Sequence, residues 1–168
     1  MKQTLKYIYS VIYENMKFAE TKHSIVLTLS SGVIAFATIF FSVDIRQNLF
    51  AIASIIFALI AILYSFVALV ARKVRLKNKA KKENYNLLFY KDVMHFNEES
   101  YIEEIKKEYD FTKIFKPDKM DLHLAKQIIA TSKLAHIKFL YFNFAVLFLI
   151  ASIICIILTV LIRGNIIW

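Results

Sequence analysis

Of the 168 residues, two are Gly and one is Pro, against roughly 20 in an average chain with ~7% Gly and ~5% Pro; sheet-rich folds need more turns than this, so long helices are implied. Gly32 and Gly164 cannot form a GxGxxG, P-loop or nucleophile elbow, and the single Cys155 excludes a disulfide framework and any multi-Cys zinc site. A net charge of +9 coexists with 58% hydrophobic residues, which requires apolar and charged residues to occupy separate stretches, as in a membrane protein.

Residues 1–23 form an amphipathic N-terminal helix carrying Lys2, Lys6, Lys17 and Lys22. Three runs, 24–43, 48–71 and 139–162, contain no Asp, Glu, Lys or Arg and have lengths of 20, 24 and 24 residues. At a rise of ~1.5 Å per residue they reach about 30, 36 and 36 Å, enough to cross a hydrocarbon core of roughly 30 Å. All three read as transmembrane helices, and none as a cleaved signal, because a charged segment precedes the first and a second run follows it at once. The 72–138 segment holds sixteen Lys and Arg, whereas the 44–47 turn and the 163–168 tail hold one each, Arg46 and Arg163. Basic segments stay on the cytoplasmic side. The N-terminus and residues 72–138 are therefore expected inside, and the turn and tail outside.

The 72–138 segment reads as helical too. Arg72 to Lys82 contains no breaker, so the second membrane helix is expected to continue into the cytoplasm. Residues 86–96 are amphipathic, with Leu87, Tyr90 and Met94 on one face and Phe89, Val93 and Phe96 on the next. Asn97 followed by Glu98 and Glu99 reads as an N-cap with acids in the first turn. That helix is expected to reach Tyr109, bury Tyr101, Ile102, Ile105 and Tyr109, and carry Lys106 and Lys107 near its end. Residues 111–117 are the linker. Asp118 then caps a helix that runs unbroken into the third membrane segment, a rod of ~45 residues and roughly 65 Å. The expected fold is all-α: three transmembrane helices with a helical cytoplasmic domain made from extensions of helices 2 and 3 plus two short helices.

The membrane faces carry two stripes of small residues. Thr28, Ser31, Ala35, Thr38 and Ser42 follow one another at spacings of 3 and 4, and so do Ala51, Ser54, Ala58, Ala61, Ser65 and Ala68. Small residues let helices approach closely in lipid, where packing drives association. The second stripe suits a tight hairpin within one chain. The hydroxyl-bearing first stripe suits contact with other subunits or a wet pore lined by Thr28, Ser31, Thr38 and Ser42. Beyond Ala68 the spacing leads on to Arg72, Arg75, Lys79 and Lys82, with about 90° of drift if the helix stays straight. Lys119, Lys126 and Lys133 lie seven apart, with His123 and His136 close to their line. These cations suit either anionic lipid and topology or a phosphate-bearing ligand.

Catalysis finds little support. No charged residue lies inside the three runs, which removes proton relays, voltage sensors and acidic intramembrane dyads. His23, His95, His123 and His136 have no metal-ligand spacing. Glu98, Glu99, Glu103 and Glu104 read as the solvated face of a capped helix, Asn143 as interhelical glue, and Cys155 as a packed small residue. Neither an enzyme nor a cofactor is expected, and without internal symmetry a secondary transporter is not either.

Three stretches resemble the Pycsar effector transmembrane proteins of bacterial anti-phage defence. Ala19-Glu20-Thr21-Lys22 is similar to that family's Ala-Asp-x-Lys pattern. Asn86-Leu87-Leu88-Phe89-Tyr90, followed by Phe96-Asn97-Glu98-Glu99-Ser100-Tyr101, resembles its Asn-x-x-Phe-Phe and Ser-x-x-Glu-Tyr region. Leu124-Ala125-Lys126-Gln127-Ile128, Ser132-Lys133 and Lys138-Phe139 resemble the approach to its last membrane helix. Departures are Glu20 for Asp and Tyr90 for the second Phe. The resemblance implies a membrane effector encoded beside a nucleotide-signal synthase, which damages the inner membrane on infection and stops the host before the phage matures. The family shades into Hailong-type membrane effectors, in which a nucleotidyltransferase product holds the effector shut, so the signal is activating or inhibitory.

Three helices cannot enclose a water-filled path, so a conducting form has to be a homo-oligomer, here expected to be a tetramer. Its signal, a nucleotide or short oligonucleotide, is expected in the cytoplasmic domain. Arg72, Arg75, Lys79, Lys126 and Lys133 would hold phosphates, while Asn86, Phe89, Tyr90 and His95 would supply an aromatic platform and polar edges. Stacking contributes ~1–3 kcal/mol per base and a charge-assisted hydrogen bond roughly 1.5–3 kcal/mol, enough together for micromolar binding. The competing reading is a non-conducting structural or adaptor protein of the inner membrane.

Overall fold

The computed structural model describes residues 1–40, 45–70, 85–110 and 117–166. Every regular element among them is a helix: α1 Lys2–Ile39, α2 Ile45–Val70, α3 Tyr90–Val93, α4 Glu98–Glu108 and α5 Lys119–Ile166. Arg72 to Lys82, where α2 was expected to continue, and the 111–116 part of the linker lie outside the described residues. Three helices are long and apolar enough to cross a membrane: Lys2–Ile39, Asn48–Val70 and Lys119–Ile162. The chain is thus an all-α membrane protein. It divides into two units, one from 1–19 and 71–139, the other from 20–70 and 140–168.

The first unit is packed like a domain in water. Large apolar side chains fill it: Leu5, Ile8 and Ile12 from α1, Tyr101, Ile102 and Ile105 from α4, and Ile128 from α5 are essentially unexposed. Their spacings of 3 and 4 put each set on one helical face. The Tyr101 hydroxyl donates to the Leu87 carbonyl at 2.9 Å, and burial pushes its phenol well above the usual tyrosine range. Tyr90 stacks on Phe139 with centroids 5.2 Å apart.

Two capping boxes set where α4 and α5 begin. Asn97 Oδ1 accepts from the Ser100 N–H at 2.8 Å, and Ser100 Oγ accepts from the Asn97 N–H at 3.2 Å. Asp118 Oδ1 likewise accepts from the Asp121 N–H at 2.8 Å, while Asp121 Oδ2 accepts from the Asp118 N–H at 3.2 Å. Each box satisfies two backbone donors that the first helical turn would otherwise leave orphaned. No Pro follows in α5, which runs 48 residues, about 72 Å, as the single rod that its sequence implies.

Two local expectations are corrected. Residues 86–96 contain only the one-turn helix α3. Asn86 Oδ1 takes the Leu88 N–H at 2.9 Å and Asp92 Oδ2 takes the Asn86 N–H at 3.1 Å, so side chains hold residues 86–89 in a turn ahead of α3. Tyr109, expected in the core, is exposed. Helix α4 stops at Glu108, Tyr109 has left helical geometry, and Asp110 has φ 48°, a left-handed residue that turns the chain away.

In the second unit the order is inverted along α2: its small residues lie inside and many of the unit's large ones outside. Ala51, Ser54, Ala58, Ala61, Ser65 and Ala68 of α2 are all at 0% exposure, as is Ser152 of α5. Leu29, Phe36, Leu59, Leu63, Leu147 and Ile150 are exposed. Lipid chains are as apolar as leucine, so burying leucine brings no gain and close backbone approach decides the packing. Ser152 Oγ donates to the Ser54 carbonyl at 2.7 Å and lies 2.9 Å from Ser54 Oγ, joining α2 to α5. Tyr64 stacks against Phe144 and Phe148, each at 5.6 Å.

Candidate functional site

The first unit carries a cavity of about 530 Å³ lined by Asn97, Glu98 and Glu99 of the α4 start and by Lys119, Leu122, His123 and Lys126 of α5. That volume lies in the ~300–1,000 Å³ range of small-molecule sites. The capping boxes fix both rims. Lys2 adds an ion pair to Asp118 at 2.8 Å; its ammonium holds the Asp118 carboxyl below the usual carboxylate range, and Lys2 itself is raised by the same bond. Leu122 packs against the core. Lys119, His123 and Lys126 follow at spacings of 4 and 3 and therefore share one face of α5. A second recess of about 400 Å³ shares Lys119 and His123 and adds Met120, Leu124 and Gln127. Gln127 Nε2 donates to Tyr9 Oη at 3.1 Å.

The cavity is lined by lysines of α5 and carboxylates of α4. Among the described residues, Glu98, Glu99, Lys119, His123 and Lys126 make no ion pair or side-chain hydrogen bond with one another. Their charges stay available for a ligand with an anionic end and a hydrogen-bond-donating end. No group of three or more His, Cys, Asp or Glu among the described residues is placed to hold a metal ion.

Of the ligand residues proposed from sequence, Lys126 lines this cavity. Arg72, Arg75 and Lys79 lie outside the described residues. Asn86 is exposed and uses its side-chain oxygen in the turn to Leu88. Phe89 is exposed, with its ring 5.0 Å from that of Tyr90. Tyr90 itself is buried. His95 and Lys133 are half-buried. His136 is held below the usual histidine range, first by burial and then by Lys91 and His95, which favours its neutral form. Sequence reasoning noted Lys119 and His123 beside the lysine row but not Asn97, Glu98 and Glu99 as their counterpart. Spacing reveals which residues share a helix face, not which other helix that face meets.

The hydroxyls proposed as a pore lining sit on the outside of a single chain. Thr28, Ser31 and Thr38 are exposed, and each hydroxyl donates to its own helix, to Ser24 O at 3.1 Å, Leu27 O at 2.9 Å and Ala35 O at 2.7 Å. Ser42 lies outside the described residues. A Cβ added at Gly32, on the same side, would meet nothing within 4 Å.

A family model described as the Pycsar effector protein domain matches residues 4–163, nearly the whole chain. The chain belongs to the Pycsar effector family. The match takes in both units, so the cavity, the inverted bundle and the hydroxyl face are all parts of the family domain. A Pycsar effector is a bacterial anti-phage membrane effector rather than a known enzyme, and its system implies a cyclic nucleotide signal from a cyclase partner. No curated protein and no solved structure matches the chain.

Proposed function

We propose that this Pycsar effector assembles into a homo-oligomer, a tetramer in our reading, that permeabilises the bacterial inner membrane when a nucleotide signal in the first unit permits it. The carrying observation is the contrast between the two stripes. The α2 stripe is consumed within the chain, whereas the α1 row of Thr28, Ser31, Ala35 and Thr38 is left on the surface. Self-satisfied hydroxyls are tolerated against lipid, yet they can also accept from water or a neighbouring chain. Symmetry about one axis would bring four such rows together, and the apolar positions between them could gate by dewetting. The lysine and arginine count orients the N-terminus and residues 72–138 towards the cytoplasm, where a neighbouring nucleotide cyclase or nucleotidyltransferase releases its product and where anionic lipid faces the basic segments.

Single cysteines at Thr28, Ser31, Ala35 and Thr38, in a Cys155→Ser background, test this reading in cells making the cyclase. Water-soluble thiol reagents should label these positions and alter dye entry once phage signalling starts. A membrane that keeps its potential and excludes dye throughout infection, with the four positions unlabelled, would favour the non-conducting adaptor.

A further inference from the structure

We infer that the cavity between the start of α4 and the first turns of α5 is a two-ended nucleotide site, in which Lys119, His123 and Lys126 take the phosphate and Glu98 and Glu99 take the amino group of the base. The inference rests on the proposed nucleotide control and adds to it both the place and the class of base. Four observations lead there. The three α5 side chains share one face at spacings of 4 and 3, with Leu122 as an apolar floor beside them. The carboxylates line the same cavity. No ion pair or hydrogen bond links the two sets among the described residues. Each rim begins at a capping box, and the core shared by α4 and α5 sets the spacing of the two ends, which is thereby preorganised.

The charge arrangement dictates the ligand's polarity. An anion at the α4 end would meet Glu98 and Glu99, so the phosphate belongs on the α5 side, where ammonium donors give charge-assisted bonds. Carboxylates accept hydrogen bonds and donate none. They suit an exocyclic amine, as on cytosine, adenine or guanine, and oppose the two carbonyls that flank the single N–H of uracil. Anionic lipid fits poorly as the source of the phosphate. Lys126 and Lys119 precede the charge-free run that starts at Phe139 by 13 and 20 residues, roughly 20–30 Å along a helix.

The test titrates the full chain in nanodiscs with the 3′,5′-cyclic monophosphates of cytidine, adenosine, guanosine and uridine, at low and at physiological salt. At least one amino-bearing nucleotide should bind about tenfold or more tightly than the uridine form, the scale of one hydrogen bond to a charged group. The double variant Lys119→Ala/Lys126→Ala should weaken all binding by at least about tenfold and flatten its salt dependence. Glu98→Gln/Glu99→Gln should instead erase the preference for an amino-bearing base while keeping phosphate-driven binding. Lys107→Ala, a surface control outside the cavity, should change neither, and unaltered melting of each variant should exclude unfolding. Binding that survives Lys119→Ala/Lys126→Ala would place the signal elsewhere and leave nucleotide control standing. Equal or tighter uridine binding, indifferent to Glu98→Gln/Glu99→Gln, would overturn the base assignment. Wild-type protein that binds none of the four overturns this site, and nucleotide control then stands or falls on whether a short oligonucleotide binds in the same titration.

Discussion

Replacing Ala61 by Leu should damage the second unit more than replacing Leu63 by Ala, the reverse of what a soluble core would show. Ala61 is at 0% exposure and packs with Val26, Ala145 and Leu149, whereas Leu63 is 62% exposed. Three added carbons at Ala61 have no void to enter. They must widen the contact or force off-rotamer side chains, at about 1–3 kcal/mol. Removing the same atoms from Leu63 forfeits contacts with lipid that lipid itself replaces. With each kcal/mol worth ~2–4 °C for a chain of this size, Ala61→Leu should lower the melting temperature by roughly 2–12 °C. Leu63→Ala should move it by less than about 2 °C on the same scale. The assay is loss of the monodisperse species on heating in mild detergent, followed by size-exclusion chromatography. A melt unchanged by Ala61→Leu, or lowered further by Leu63→Ala, would refute the inference that the small-residue stripe of α2 carries the packing.

Three further outcomes follow from individual contacts. Tyr101→Phe leaves the buried Leu87 carbonyl without its 2.9 Å donor and should cost about 1–3 kcal/mol, read as a lower midpoint in urea for the first unit. Ser152→Ala removes the link to Ser54 and should cost ~0.6–1.7 kcal/mol, the range for interhelical hydroxyl bonds in membranes, read in the same detergent melt. Acid should weaken the first unit in two steps. His136 is held below its ordinary value, so the unfolded chain binds its proton first and stability falls as pH drops below the usual histidine range. Asp118 is also lowered, so its contribution is complete above the usual carboxylate range and is lost as pH falls through its depressed value. In melts across pH, His136→Gln should flatten the first step and Lys2→Met should reduce the second.

The regularities of single helices were legible in the sequence, and the meetings between helices were not. Runs without charge, the shortage of Gly and Pro, and the Asn97 and Asp118 caps each act within a few residues of one chain segment. They marked the three long helices, the α4 start and the unbroken α5 because helix propagation and capping depend on near neighbours. Failures came where a side chain bonded to the backbone instead. Asn86 and Asp92 tie a turn together by accepting the Leu88 and Asn86 N–H groups, and the Phe89 N–H returns to the Asn86 carbonyl; hydrophobic spacing alone cannot sense such a turn. Tyr109 fits the helical period, but its helix ends one residue earlier, and Asp110 gives no composition signal strong enough to announce a left-handed turn.

The cavity shows the same division at the level of function. Lys119, His123 and Lys126 could be read as one face of one helix, because their spacing follows from α-helical geometry. Glu98 and Glu99 read equally well as helix-start acids stabilised by the helix dipole, and a solvated first turn and a ligand-facing one have the same sequence. Packing decides which helix that first turn meets. The core formed by Leu5, Ile8, Tyr101, Ile102, Ile105 and Ile128 brings the α4 start to the cationic face of α5, although Glu99 and Lys119 are 20 positions apart in the chain. Those core residues touch no ligand, yet they set the distance between the two charged ends. Large-to-small changes beneath the cavity should therefore alter nucleotide selectivity as well as stability, whereas changes at α4 side chains outside the cavity, such as Lys107, should leave both intact.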